Sequence, residues 1–189
     1  LVSRLPADLA PQVLSLPVDF PPLEPGLVRR RLLGRDFAVG ALTETVLAAY
    51  RAYVTDFAPA FAGVLQALAA PDAVPALIHC NGGKDRTGFA VMLVLLTLGV
   101  PRATIVADYL LTNHLTRRTT RRRIWLVLLA SRLAVRPSET RALLEAREPY
   151  LDAAFATMEA RHGSIEAYLR DALGVSDAWR DRLRAALLV

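Results

Sequence analysis

A ten-residue run, His79 to Gly88, holds the residue types with the clearest chemistry in this sequence: His-Cys-Asn-Gly-Gly-Lys-Asp-Arg-Thr-Gly. Five residues separate its cysteine from its arginine. A tight loop that leads into a helix directs backbone N–H groups at one point, and the helix N-terminus adds positive potential. An arginine can grip two phosphate oxygens with its planar fork. The run therefore predicts a phosphate-binding loop formed by Asn81, Gly82, Gly83, Lys84, Asp85 and Arg86.

Cys80 lies at the floor of this predicted loop. Free cysteine titrates near pH ~8.5, and helix N-termini and nearby cations lower that value to ~3.5–7.5. A thiolate in this position is a nucleophile directed at phosphorus. We expect Thr87 to donate its hydroxyl to the thiolate and His79 to support the loop from behind. These residues predict hydrolysis of phosphate monoesters through a cysteinyl-phosphate, with inorganic phosphate as product and with no metal or cofactor.

The leaving group of such a reaction needs a proton donor, and two aspartates are candidates. Asp85 lies inside the loop beside Arg86, and we favour it as the donor. Asp19 follows a predicted strand in a proline-rich loop, where a solvated turn aspartate is equally expected. Lys84 is the only lysine among the 23 basic residues, so we expect it to bind a second phosphate or an anionic head group rather than to be a solvated loop residue.

Other functions fit the residues less well. A nucleotide-binding P-loop needs Ser or Thr after Gly83-Lys84, and Asp85 stands there instead. A single cysteine excludes a Cys-x-x-Cys redox pair and an internal disulfide. Nucleic-acid binding depends only on the net charge of +5 and one arginine cluster, and we do not expect it. A catalytically impaired phosphate- or phosphoinositide-binding module remains the alternative, since Asn81-Gly82 would make the loop flexible.

The run resembles the signature of the atypical bacterial tyrosine phosphatases, His-Cys-x-x-Gly-Lys-Asp-Arg-Thr-Gly. Supporting segments occur in the family's order: Leu16 to Asp19, Ala107 to Asn113 and Gly163 to Leu169. The resemblance implies a Cys-dependent phosphatase-like fold and activity on phosphotyrosine, with phosphoserine, phosphothreonine and phosphoinositides as further substrates. It also assigns Asp85 a catalytic or orienting role. The family's opening segment is not found, and we expect an N-terminal piece to be missing.

Hydrophobic periodicity predicts the elements that hold this loop. Val13 to Val18 and Ala76 to His79 read as short strands, the second one buried, and a proline-rich loop and irregular chain follow Asp19 up to residue 36. Helical spacing extends from about Val39 to Ala70, where Pro59 is expected to break or kink it. Further helices are predicted over residues 87–98, 103–116, 117–135, 138–146, 150–162, 164–173 and 176–188. The expectation is an α/β fold in one domain, residues 1–189, with a small central sheet, flanking helices and a mostly helical C-terminal half.

An arginine cluster precedes an apolar stretch in the predicted helices, at Arg117, Arg118, Arg121, Arg122 and Arg123. An ordinary basic turn before a core helix explains most of this pattern. The resemblance implies a helical lid within residues 114–148, and a basic, apolar lid is suited to peripheral contact with an anionic membrane. The apolar runs are too short to span a bilayer. The expected compartment is the cytoplasm of a bacterium or its exterior.

Overall fold

The structure is a computed structural model and describes residues 13–19, 40–70, 73–130 and 135–188. Helices dominate these ranges. In chain order they are α1 (Ala41–Val54), α2 (Ala58–Leu68), α3 (Asp85–Thr97), α4 (Arg102–Ala130), α5 (Pro137–Leu144), α6 (Glu148–His162), α7 (Ile165–Ala167), a π-helical turn (Tyr168–Ala172) and α8 (Asp177–Leu187). The predicted loop at Phe20 to Pro22 and the irregular chain after it lie outside the described residues.

The predicted central sheet, and with it the α/β fold class, is wrong for the described residues. No strand occurs in these ranges, and both segments predicted as strands have no regular secondary structure. The segment at 76–79 is not buried either, since Leu77 is 73% exposed. Extended chain becomes a strand only when a neighbour completes the ladder of backbone hydrogen bonds. Neither segment has such a neighbour among the described residues, so the fold here is mostly helical.

The helices follow the proline and glycine signals in part. Residues 55–57 interrupt the pattern predicted for residues 39–70, and α2 then begins at Ala58 with Pro59 in its first turn, where proline is tolerated. Two helices were expected between residues 103 and 135, but α4 runs through residues 116 and 117 without a break. Arginine and threonine at this point do not stop a helix, because only proline and glycine strongly disfavour one.

An aromatic cluster beneath the loop of residues 80–86 forms the centre of the core. Phe89 of α3 is fully buried, 4.5 Å from the ring of Phe61 and 5.4 Å from that of Tyr53, measured between centroids. Gly88, directly before Phe89 in α3, faces Tyr109 of α4 so closely that a Cβ would lie 2.8 Å from two ring atoms. The missing side chain therefore lets α3 and α4 approach each other next to the loop.

Two polar clamps connect distant parts of the chain. The carboxylate of Glu139, almost fully buried in α5, accepts hydrogen bonds from the backbone N–H of Gly40 at 2.8 Å and of Leu42 at 3.1 Å, and so caps α1. The amide of Asn113 in α4 makes two 2.7 Å hydrogen bonds with the backbone of Ala146. These clamps fix α4, α5 and α1 around one cavity. Within the described ranges, every helix is too short or too polar to cross a membrane.

Candidate active site

The loop expected to bind phosphate lies between a segment without regular secondary structure and the start of α3. Residues 81–84 bend sharply, and Gly83 has φ 61°, a left-handed conformation that glycine adopts without strain. The first intrahelical bond runs from Gly88 N–H to the carbonyl of Lys84 at 2.8 Å. The N–H groups before it have no helical partner, so this end of α3 carries partial positive charge and free donors.

Cys80 is half-buried at the start of this loop. Burial raises the pKa of its thiol, but hydrogen bonds from the Thr87 hydroxyl and from the Thr87 backbone oppose that effect. The backbone N–H groups of Gly82 and Lys84 add to them, and together they hold the pKa below its ordinary value. The Thr87 hydroxyl is buried and has no hydrogen-bond partner among the described residues, which leaves it free to donate to a thiolate at Cys80. The loop therefore stabilises a thiolate at Cys80.

A cavity of about 600 Å³ opens in front of the thiol. Cys80, Asn81, Gly82, Lys84, Asp85 and Arg86 line one side of it. The opposite wall is one face of α4, and its lining residues are Thr112, Thr116, Thr119, Thr120 and Arg123. Leu143 and Leu144 of α5, Tyr53 of α1 and the pair Val18 and Asp19 complete the lining.

Arg86 connects the loop to the segment of residues 13–19. Its Nη1 donates to the carbonyl oxygen of Val18 at 3.0 Å and lies 3.9 Å from Oδ1 of Asp19. The Asp19 side chain is 89% exposed, so this ion pair is loose. A guanidinium carries five N–H donors, and those that these contacts leave free can bind an anion in the cavity.

Lys84 and Asp85 form an ion pair beneath the cavity rather than a pair of free side chains. The Nζ of Lys84 lies 2.8 Å from Oδ1 of Asp85 and donates to the carbonyl of Glu145 at 3.1 Å. Lys84 is only 9% exposed and also lies over the ring of Tyr150, 5.9 Å from its centroid. The Lys84 ammonium therefore holds the loop against the chain between α5 and α6.

Two tyrosines extend this network into the core. The fully buried Tyr50 donates its hydroxyl to Oδ1 of Asp85 at 3.1 Å, and Tyr109 lies 2.7 Å from the same hydroxyl. Burial, with the negative charge of Asp85 as a second cause, raises the pKa of Tyr50 well above its ordinary value. The hydroxyl therefore remains protonated as a donor. Because it donates to Asp85, the Tyr109 hydroxyl must donate to Tyr50.

The structure brings together almost all of the residues that the sequence singled out. One cavity is lined by Cys80, Asn81, Gly82, Lys84, Asp85, Arg86 and Asp19, whereas Gly83 and Thr87 line a second, smaller pocket. His79 is the exception, because it is exposed and makes no hydrogen bond to another described residue. The structure thus shows no support of the loop by His79.

Sequence reasoning missed the tyrosine pair and the threonine face of α4. The spacing of Thr112, Thr116, Thr119, Thr120 and Arg123 places all five on one helical face, which was readable from the sequence. Nothing in the sequence indicated that this face lies opposite Cys80. Tyr50 and Tyr109 carry no local signal, since each also fits an ordinary core position.

The geometry suits one kind of chemistry. A half-buried thiol with a lowered pKa faces a cavity next to a guanidinium and a set of inward N–H groups. Donors in such an arrangement can bind the oxygens of a phosphoryl group, and a thiolate beside them can act as a nucleophile toward phosphorus.

Comparison with known proteins agrees with this chemistry. The chain is 40% identical over 133 residues to a protein of Cupriavidus necator named as a tyrosine-protein phosphatase; the match covers 70% of this chain and 47% of that protein. It is also 40% identical over 122 residues to the triple specificity protein phosphatase PtpB of Mycobacterium tuberculosis, covering 60% of this chain and 44% of the relative. The matches thus span less than half the length of these relatives.

A third relative, a tyrosine-protein phosphatase of Nostoc commune, is 41% identical over 66 residues, which is 35% of this chain and 22% of that protein. The model of the tyrosine phosphatase family matches residues 14–189, nearly the whole sequence and all but one of the described residues. The chain therefore belongs to the tyrosine phosphatase family.

Proposed function

We propose that this chain is a Cys-dependent phosphomonoester hydrolase whose nucleophile is Cys80. The observation that carries the proposal is the lowered pKa of the Cys80 thiol at the floor of a cavity that Arg86 also lines. A buried thiol without donors would have a raised pKa and would be inert. Here the surrounding N–H and hydroxyl donors outweigh burial, which supports a thiolate built for reaction.

The proposed reaction has two steps. In the first, the Cys80 sulfur forms a bond to phosphorus, the phosphorus–oxygen bond of the ester breaks, and the leaving oxygen takes a proton. In the second, a water oxygen attacks phosphorus, the sulfur–phosphorus bond breaks, and phosphate leaves with the thiolate restored. Arg86 and the N–H groups of the loop bind the equatorial oxygens and stabilise the charge that develops on them.

We assign the proton donor to Asp19 and a positioning role to Asp85. Asp85 was the favoured candidate from the sequence, but its carboxylate pairs with Lys84 at 2.8 Å and accepts from Tyr50 at 3.1 Å. Both contacts hold the carboxylate in place. The Asp19 carboxylate lines the same cavity, is largely exposed and lies beside Arg86, where a leaving group can reach it.

Phosphotyrosine is the substrate that we propose first, with phosphoserine, phosphothreonine and phosphoinositides as further classes. A cavity of about 600 Å³ has room for an aryl phosphate, and Tyr53 and Leu143 offer apolar lining for a ring. The Mycobacterium tuberculosis relative is named a triple specificity protein phosphatase. We extend that broad specificity to the present chain as part of the proposal. Lys84 remains a candidate for contact with a second phosphate, if substrate displaces it from Asp85.

The proposal also covers the domain organisation, the partners and the compartment. We propose one phosphatase domain over residues 1–189, in which part of the region 114–148 acts as a helical lid beside the cavity; residues 131–134 of that region lie outside the described ranges. The partners are then a phosphorylated protein or lipid, with the bacterial cytoplasm or exterior as the compartment.

Phosphate release from a panel of substrates tests the activity. A phosphotyrosine peptide, a phosphoserine peptide and monophosphorylated phosphoinositides are incubated with the parent chain and with Cys80→Ser. We expect release that Cys80→Ser lowers by about 10⁶-fold, with an unchanged circular dichroism spectrum. Phosphate binding without turnover by the parent chain would favour the impaired binding module instead.

A leaving-group series tests the assignment of the acid. Asp19→Asn should slow hydrolysis of alkyl phosphates far more than that of p-nitrophenyl phosphate, because nitrophenolate leaves without protonation. Asp85→Asn should lower kcat by a similar factor for every leaving group. The opposite pattern in the two variants would return the acid role to Asp85.

A further inference from the structure

The C-terminal two-thirds of α4 has an outer face that the cavity does not use. Side chains three and four residues apart share a helical face. A stripe of such side chains runs along α4 on a different side from the threonine face that lines the cavity. Its apolar members are strongly exposed: Leu115 is 82% exposed, Leu129 64% and Trp125 60%. We call this stripe the outer face; it consists of Leu111, Leu115, Arg118, Arg122, Trp125, Leu126 and Leu129.

The charge along this face has one sign. From Tyr109 to Ser138 the sequence contains no Asp or Glu. Arg118 and Arg122 are exposed on the outer face, and Arg117 and Arg121 are exposed along its edge. No described residue forms an ion pair with these arginines. The outer face and its edge therefore combine exposed apolar side chains with four arginines that form no ion pair within the described part of the chain.

We propose that the outer face of α4 binds flat to an anionic lipid bilayer. A helix with Trp and Leu on one side and arginines beside them inserts its apolar side chains among lipid head groups, while the guanidiniums contact lipid phosphates. From Leu111 to Leu129 the outer face extends about 27 Å along α4, at a rise of about 1.5 Å per residue. The exposed leucines and the tryptophan match the apolar interior of such a membrane, and the arginines match its anionic head groups.

Two other occupants explain the face less well. A second copy packed symmetrically would bring arginines of like charge against each other. A nucleic acid would use the arginines but would leave Leu115, Leu126 and Leu129 in water. An anionic bilayer is the partner that accounts for both the leucines and the charges.

Binding to the bilayer would place the cavity beside the lipid head groups, because the threonine face that lines the cavity belongs to the same helix. The value of this placement for catalysis rests on the proposed phosphatase function, but the binding to the bilayer does not. A vesicle assay without turnover therefore separates failure of the docking proposal from failure of the catalytic one.

The test is co-sedimentation with vesicles of phosphatidylcholine alone and of phosphatidylcholine mixed with phosphatidylserine. We expect binding to the mixed vesicles only, weakened about 30-fold by Arg118→Gln with Arg122→Gln and about tenfold or more by Leu129→Ser. The matched controls are Arg161→Gln with Arg182→Gln, exposed arginines of α6 and α8, and Leu188→Ser, whose side chain is 61% exposed. The controls should bind like the parent.

Tryptophan fluorescence adds a direct readout. Trp179 is 8% exposed, so a blue shift of emission on addition of mixed vesicles reports on Trp125. Hydrolysis of p-nitrophenyl phosphate should be unchanged in all variants, which checks that they fold. Equal binding to both vesicle types, or equal losses in variants and controls, would overturn the proposal. A dimer in solution that Leu129→Ser dissociates, without vesicle binding, would assign the face to a second copy instead.

Discussion

The two sides of the cavity are built in different ways. On the loop side, contacts are dense: Lys84 is 9% exposed and bound to Asp85 and Glu145, while Tyr50 holds Asp85 from the core. Gly83 allows the sharp bend that such a compact loop needs. Each charged group on this side therefore has a partner that fixes its position before substrate arrives.

The α4 side has few such partners. Two of its threonine hydroxyls bond within the helix, Thr116 to the carbonyl of Thr112 at 2.7 Å and Thr120 to the hydroxyl of Thr116 at 3.4 Å. Arg123 is exposed and has no ion pair among the described residues. Fixed groups contribute to transition-state stabilisation, whereas exposed groups contribute mainly to binding. We therefore expect changes on the loop side to lower kcat and changes on the α4 side to alter KM.

Arg86→Lys tests the loop side most strongly. Lysine keeps the positive charge but loses the planar fork that binds two oxygens, so we expect kcat to fall about 10²- to 10³-fold. Steady-state kinetics with p-nitrophenyl phosphate measures this effect. Arg102→Lys, an exchange at an exposed ion pair with Asp152, should leave kcat unchanged. A kcat for Arg86→Lys close to that of the parent would mean that charge alone suffices on this side.

Gly88→Ala tests how tightly the loop side is packed. The new Cβ would lie 2.8 Å from the ring of Tyr109, which is buried and hydrogen bonded to Tyr50, so the ring cannot easily move. Despite the helix-favouring alanine, we expect a lower free energy of unfolding by about 1–3 kcal/mol. Urea denaturation measures this change.

Gly63→Ala is the matched control for that packing test. Its Cβ would meet only the flexible end of Leu16, at 3.1 Å, so a neutral or stabilising effect is expected. If the two variants had equal stability, the close approach of α3 and α4 would not be a constraint.

The sequence predicts the structure best where the residues of the site are contiguous along the chain. Cys80 to Thr87 is one contiguous run, and its residue types predicted the bend and a helix after it, which begins at Asp85, two residues before the predicted start at residue 87. The partners that hold this run are distant: Tyr50 lies 35 residues from Asp85, and Tyr109 lies 59 residues from Tyr50. No local pattern encodes such pairs. The predicted sheet was wrong for the same reason, because an apolar run such as Ala76 to His79 does not indicate whether a second strand lies next to it.

Thr87→Val has a smaller effect that depends on pH. The Thr87 hydroxyl helps to hold the pKa of Cys80 below its ordinary value, so its removal raises that pKa and leaves less thiolate at low pH. The acidic limb of the profile of kcat/KM against pH should move upward by about one pH unit, while the plateau changes little. Thr97→Val, the same exchange further along α3, should not move this limb. If the acidic limb did not move in Thr87→Val, the Thr87 hydroxyl would not contribute to lowering the pKa of Cys80.

Arg123→Ala should have the smallest effect, because its guanidinium is exposed and screened by solvent. On the α4 side of the cavity it can contact a second anionic group of a substrate bound at Cys80. We expect KM to rise about two- to fivefold for a doubly phosphorylated peptide and to stay constant for p-nitrophenyl phosphate, with kcat unchanged in both cases. Arg121→Ala removes an equal charge from the same helix without touching the cavity lining, so it separates local contact from net charge. A fall in kcat for Arg123→Ala would show that the α4 side also stabilises the transition state, and the division between a fixed side and a binding side would then not hold.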